Sequence, residues 1–166
     1  MKKILFFLFL TISYNAHAES MNMIGEKGDP KNIDRIIEIK MYDNYYEPNL
    51  IKVKKGETIK FIVRNLGEMV HEYNIATKEM HIKHQHEMQK LVDHGILMVD
   101  KIDKEKMKKM SKMDHSLGHS HANSVMVEPK KTGEIVWKFS KNLTLEMACN
   151  IPGHYETGMV GKIIIK

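Results

Sequence analysis

What most limits the fold of this chain is a series of short, β-branched runs whose apolar residues alternate. Ile33, Arg35, Ile37, Ile39 and Met41 share one parity, followed by Ile51 and Val53, then Ile59, Phe61 and Val63. Successive side chains of a strand point to opposite faces, so a period of two marks strands with one buried face. Turn residues such as Lys55-Gly56-Glu57 and Asn65-Leu66-Gly67 separate the runs. The texture returns at Val125 and Val127, Ile135 to Phe139, Leu143 to Cys149 and Val160 to Ile165. About seven or eight such strands predict an all-β fold in which two antiparallel sheets pack face to face as a sandwich. Ile135, Trp137 and Phe139 share a face, which predicts Trp137 in the core.

Three segments break the pattern. At residues 1–18, Lys2 and Lys3 precede the apolar run Ile4 to Leu10 and the small-residue site Ala16-His17-Ala18, which reads as a signal peptide for export to the periplasm. The run is far shorter than the roughly 20 residues that span a bilayer, so no membrane insertion is expected after cleavage. Residues 19–32 carry Gly25, Gly28, Asp29 and Pro30 and predict an extended or mobile lead-in. One domain is expected over 33–166, interrupted at 77–121 by a lysine-rich insertion. Within it, helices are predicted over about Glu79 to Val92 and Asp103 to Met113, with Asp103 as N-cap, and a loop over Ser116 to His121. Loss of Lys2 and Lys3 with the signal lowers the formal charge from +5 to +3. The remaining lysines are scattered rather than gathered in a stripe, so nucleic acid is not an expected partner.

Cys149 is the single cysteine, and in an oxidising compartment it has no internal partner. It opens the segment Cys149-Asn150-Ile151-Pro152-Gly153-His154-Tyr155-Glu156-Thr157-Gly158-Met159, which lies between two predicted strands. That loop offers a thiolate, an imidazole and a thioether. A type 1 copper site takes two imidazoles and one thiolate in a near-trigonal plane, with a weak axial thioether. Pro152 and Gly153 suit the turn that returns His154 toward Cys149, and Gly158 suits a second reversal before Met159. Strand parity turns both sulfurs inward. The second imidazole must come from elsewhere, and His71 is the best placed, sharing a face with Met69, Tyr73 and Ile75. Its alternative role is that of a hydrogen-bonded core histidine. Zinc also accepts two histidines and a cysteine, but the thioether at Met159 suits copper better.

Tyr46, Pro48, Val53, Gly56-Glu57-Thr58, Asn65 and His71-Glu72 resemble the cupredoxin family, which contains plastocyanin, azurin and rusticyanin. The end of the chain, from Cys149 to Lys166, is especially similar to rusticyanin, with four residues between Cys149 and His154 and four between His154 and Met159. The resemblance implies a Greek-key β-sandwich and copper held by His71, Cys149, His154 and Met159. It also implies one-electron transfer to a redox protein partner through the exposed edge of His154. The loop length departs from azurin and plastocyanin, and Glu72 follows the first histidine where several blue copper proteins have other residues.

The insertion departs from the small cupredoxins altogether and resembles periplasmic cupredoxins linked to bacterial copper tolerance. It holds seven histidines and six methionines. Of these, His81, His84, His86, Met88, Met107, Met110, Met113, His115, His119 and His121 are candidate ligands for additional copper, since imidazole suits either oxidation state and thioether suits Cu(I). In the competing reading Met88, Met107 and Met110 only pack an amphipathic lid onto the sandwich. The expected function is non-catalytic copper binding with one-electron transfer in copper tolerance. Its alternative is a respiratory electron shuttle whose insertion docks a partner. A multicopper oxidase needs several His-x-His pairs on a multi-domain scaffold, and only His84 with His86 and His119 with His121 offer that spacing, so oxidase activity is not expected.

Overall fold

The computed structural model describes residues 23–166, so the signal-peptide segment lies outside the described residues. Ten strands form two five-stranded sheets. They are β1 (Glu26–Lys27), β2 (Arg35–Met41), β3 (Tyr46–Glu47), β4 (Leu50–Val53), β5 (Thr58–Asn65), β6 (His71–Ala76), β7 (Ser124–Val127), β8 (Thr132–Lys138), β9 (Leu145–Ala148) and β10 (Val160–Ile165). One sheet runs β1-β8-β5-β2-β3 and the other β4-β10-β9-β6-β7. The alternation fixes which side of each strand is buried: Ile39, Ile59, Phe61, Val63, Ile135 and Trp137 from the first sheet meet Ile51, Val53, Tyr73, Ile75, Leu145, Met147 and Ile163 from the second. Phe61 sits at the centre, its ring centroid 5.3 Å from Tyr73 and 6.2 Å from Phe139. This is the expected sandwich, with Trp137 fully buried.

Three expectations need correction. The sheets are not wholly antiparallel, because β2 pairs with β5 and β4 with β10 in parallel. Both parallel partners are reached by a chain that first crosses to the other sheet, which frees neighbouring strands from hairpin geometry. The lead-in is not merely extended: Ile24 is fully buried in the core, and β1 pairs with Lys138 and Trp137 of β8. Gly25 permits this docking, since its φ is +147° and a Cβ there would lie 2.6 Å from the Lys138 carbonyl. Finally, Leu143 is 39% exposed and lies outside β9. Pairing ends at Ala76 opposite Glu146 and at Ile163 opposite Leu145, so no partner remains to extend the strand.

The insertion is the connection of the β6–β7 hairpin, where Asn74 pairs with Ser124. Helix α1 (Lys78–Asp93) is capped by Thr77, whose side chain accepts from the Met80 backbone N–H. Helix α2 (Lys104–Met110) starts at the expected cap, Asp103, which accepts from Lys106 N at 2.9 Å. A 3-10 turn follows at His115–Gly118. Along α1, His81, His84, Met88 and Leu91 recur at helical spacing, which puts them on one face. Met88, Leu91, Ile96, Leu97 and Leu117 close a small second core with Val70, against which Met107 and Met110 pack. The lid reading therefore describes Met88, Met107 and Met110. With the insertion in place, every residue of β6 is buried on both faces, including Glu72 and Asn74. Among the described residues, no helix is long and apolar enough to cross a membrane.

Candidate functional site

The loop between β9 and β10 closes on itself through its backbone. Cys149 N–H donates to the Met159 carbonyl at 3.2 Å, and Met159 N–H to the His154 carbonyl at 3.0 Å. The turn at Pro152-Gly153 is fixed by His154 N–H donating to the Ile151 carbonyl at 2.9 Å. This folding brings His154 Nδ1 to 3.4 Å from Cys149 Sγ. His71, the first residue of β6, lies beside His154 with ring centroids 5.1 Å apart and the planes tilted by 52°. One ligand atom each from His71, Cys149 and His154 lies within 4.8 Å of the others. Met159, directly before β10, is fully buried in the same core as Cys149.

The orientation of His71 shows what the cluster is built for. Its Nε2 lies 3.0 Å from Asp43 Oδ1, and an ionised carboxylate only accepts, so Nε2 carries the proton and Nδ1 presents a lone pair. That Nδ1 is buried and has no hydrogen-bond partner. A buried polar atom is normally satisfied, because leaving it bare costs about 1–3 kcal/mol. A metal ion shared with Cys149 and His154 would satisfy it. Asp43 is held in turn by Glu68 N–H at 2.9 Å and Met69 N–H at 3.3 Å. Gly67 is required beside it, since a Cβ would collide with Asp43 Oδ1. Asn65 braces this loop, donating to the Met69 carbonyl at 2.7 Å and the Val127 carbonyl at 2.8 Å and accepting from Gly67 N–H at 2.9 Å.

The protonation states suit ligation. Burial lowers His71, against the upward pull of Asp43, and burial with the neighbouring His71 lowers His154, so both imidazoles are neutral near pH 7. Burial and then the charge of Glu72 push the Cys149 thiol up to about 12, despite Glu72 N–H donating to Sγ at 3.3 Å. The free thiol keeps its proton until a metal takes its place. Two neutral imidazoles and a thiol able to yield its proton form a candidate metal-binding cluster, with the Met159 thioether buried in the same core.

Comparison with known proteins agrees with this reading of the fold. A profile of the cupredoxin-like domain matches residues 3–94. The copper-resistant cuproprotein CopI of Pseudomonas aeruginosa is 39% identical, in an alignment covering 91% of this chain and 85% of that protein. The chain belongs to the cupredoxin-like family. The CopI of Rubrivivax gelatinosus is 31% identical over 91% of this cupredoxin and 79% of its own length. Among solved structures, auracyanin B superposes with a TM-score of 0.61 at 13% identity, over 86% of this chain and 96% of that one. A reduced auracyanin from Roseiflexus castenholzii gives 0.58 at 19%, over 81% and 99%.

The insertion residues of this cupredoxin sort into four places. His84, His119 and His121 form a second cluster, again with ligand atoms within 4.8 Å of one another. His81 is fully buried apart from them, with Nδ1 3.2 Å from Asn150 Oδ1 and Nε2 3.4 Å from the Glu146 carbonyl. Met88 belongs to the small core, and Met107 and Met110 pack on it. His86, Met113 and His115 stand exposed at the surface, away from both clusters.

The sequence pattern missed the most connected group in the insertion's interior. Glu72 is fully buried, and its Oε1 lies 2.9 Å from His84 Nε2 and 2.9 Å from His119 Nε2. Burial alone would raise its carboxyl, but His84 and His119 hold it well below the usual carboxylate range. Conversely, burial would lower His84, while Glu72 and Glu87 carry it up to about 10. The one hint was an acidic residue directly after a ligand histidine.

Proposed function

We propose that this cupredoxin is an exported, periplasmic copper protein that carries single electrons and contributes to copper tolerance, without a catalytic reaction of its own. The observation that carries the copper assignment is the unpartnered Nδ1 of His71 beside Cys149 Sγ and His154 Nδ1. The tolerance role is supported by kinship with the copper-resistant cuproproteins.

Bound copper would supply a one-electron couple, and the chain's own residues prepare its place. Asp43 keeps the His71 proton on Nε2 and so aims Nδ1 inward. Cys149 would give up its proton to hold the ion, with Glu72 N–H placed to steady the thiolate. Met159 would add a weak thioether donor. The closed backbone of the loop holds His154 in position, so little has to move when an electron arrives. His154 is partly exposed while His71 and Cys149 are sealed, which makes the His154 edge the contact for a redox protein partner.

Loading with Cu(II) is expected to give an intense visible thiolate-to-copper band that Cys149→Ser abolishes. A colourless copper complex, or a serine variant that keeps the band, would refute the assignment. A deletion strain should grow normally until copper is raised. Lost respiration without copper sensitivity would instead favour a respiratory shuttle.

A further inference from the structure

Oε1 of Glu72 is crowded beyond what an oxygen can accept. Four donors converge on it: His84 Nε2 at 2.9 Å, His119 Nε2 at 2.9 Å, Ser124 Oγ at 2.5 Å and Asn74 Nδ2 at 3.2 Å. A carboxylate oxygen offers two lone-pair sites. The two imidazole nitrogens are also only 3.3 Å from each other, close enough for both to reach one first-row ion at about 2.0–2.1 Å. His121 completes a triangle of rings, with centroids 5.3, 5.1 and 5.1 Å apart.

The surroundings are those of a built site. His84 Nδ1 lies 3.0 Å from Glu87 Oε2, the carboxylate-histidine pairing that orients metal-binding imidazoles. His119 holds a left-handed backbone with φ 41°. Glu72, His119 and His84 are 0, 4 and 11% exposed, and His121 at 22% forms the open rim.

We infer that Glu72, His84, His119 and His121 form a second, mononuclear copper site selective for Cu(II). The donors are nitrogen and oxygen alone. That set suits Cu(II), which stands highest among divalent first-row ions for such ligands, whereas Met88, Met107 and Met110, softer donors of the kind Cu(I) would take, are engaged in the small second core. Glu72 also links this site to the first. Its other oxygen accepts from Asn150 N–H at 3.1 Å and Nδ2 at 2.8 Å, next to Cys149, while its own N–H donates to Cys149 Sγ. The inference deepens the tolerance role proposed above and rests on that reading for its physiological meaning, but not for its chemistry.

The test is titration of the metal-stripped full chain with Cu(II), followed by metal analysis, visible absorption and electron paramagnetic resonance. Two coppers per chain are expected, one with the visible band and narrow hyperfine splitting, the other colourless with the wide splitting of nitrogen and oxygen ligation. Cys149→Ser should keep only the second signal. His119→Ala with His121→Ala should bind one copper and keep the band, whereas His86→Ala, His94→Ala and His115→Ala together should still bind two. Because His119 touches a buried carboxylate, His121→Ala alone serves as a milder variant, expected to weaken the second copper by about tenfold or more while the band reports an intact fold. A single copper in the wild type, or equal loss in the surface triple variant, overturns the site. Zinc binding there as tightly as Cu(II) overturns the copper assignment. A second signal without any visible band would overturn the type 1 reading and leave this site standing.

Discussion

His71 and Glu72 are consecutive residues of β6, and each belongs to a different cluster of ligating side chains. Neighbours on a strand face opposite ways, so His71 looks into the end of the sandwich and Glu72 into the space under the insertion. The first cluster is made by strands and one short loop closed by its own backbone, and it contains sulfur. The second is assembled from β6, α1 and the segment after the 3-10 turn, and it contains only nitrogen and oxygen. A ligand set held by sheet and loop is in place whenever the sandwich is folded. A set contributed by a large insertion exists only while that insertion is docked. The contrast predicts that the two regions respond differently to mutation, to pH and to excision.

The largest effect is expected from Glu72→Gln. It removes the buried negative charge that faces His84 and His119, and breaking such a pair from one side costs about 3 kcal/mol or more. Urea unfolding of the metal-free variant checks this, and a loss below about 1 kcal/mol would show that the pair is not a buried charge centre.

Excision comes next. Ala76 ends β6 and Ala122 lies just before β7, with Asn74 opposite Ser124, so a short linker can replace 78–121. The visible band should survive with a melting temperature several degrees lower, since the small second core is lost but the sandwich core keeps its residues. A colourless or unfolded product would mean that the two regions are one cooperative unit.

The pH dependence of metal-free stability follows from Glu72 and His84. Glu72 is depressed, so its contribution is present above its ordinary value of 4.5 and is lost as pH falls through its lower folded value. His84 is raised, so its contribution is full below its ordinary 6.5 and is lost as pH climbs toward about 10. Both contributions are full between about pH 4.5 and 6.5, where the lowered His71, His81 and His154 work against them by favouring the unfolded chain as pH falls. In thermal unfolding with chelator the difference between wild type and Glu72→Gln should therefore be largest between about pH 4.5 and 6.5 and shrink on either side. An unchanged profile in that variant would break the assignment. The smallest effect is expected for Met159→Leu, which should shift the reduction potential while keeping the visible band and one tightly held copper, because the axial thioether tunes more than it binds. Loss of the copper would make Met159 a strong ligand.

The sandwich was legible because alternation is local: Ile59, Phe61 and Val63 reveal their face without knowledge of any partner. The Cys149-His154-Met159 loop was legible for the same reason, as three ligand types lie within one turn-rich segment. His71 was legible only beside that loop, because alone on its strand it reads equally as a core histidine, and Asp43, which orients it, carried no signal since its partner lies in another loop. The parallel pairings of β2 with β5 and β4 with β10 depend on where the chain crosses between sheets, which periodicity does not encode. Glu72 was hardest. Its partners come from a helix and a loop tail, joined by no spacing rule, and a strand glutamate on the outer face ordinarily meets water.

The attachment of the insertion has an evolutionary consequence. It leaves and re-enters the sandwich at adjacent points of one hairpin, so residues can be gained, lost or exchanged inside it without shifting the register of any strand. Selection can then rework the side chains of that segment as a cassette, while Asn65, Asp43, His71 and the closing loop stay under the separate constraint of the cluster they build. Glu72 is where the two histories meet, since its backbone serves one centre and its side chain the other.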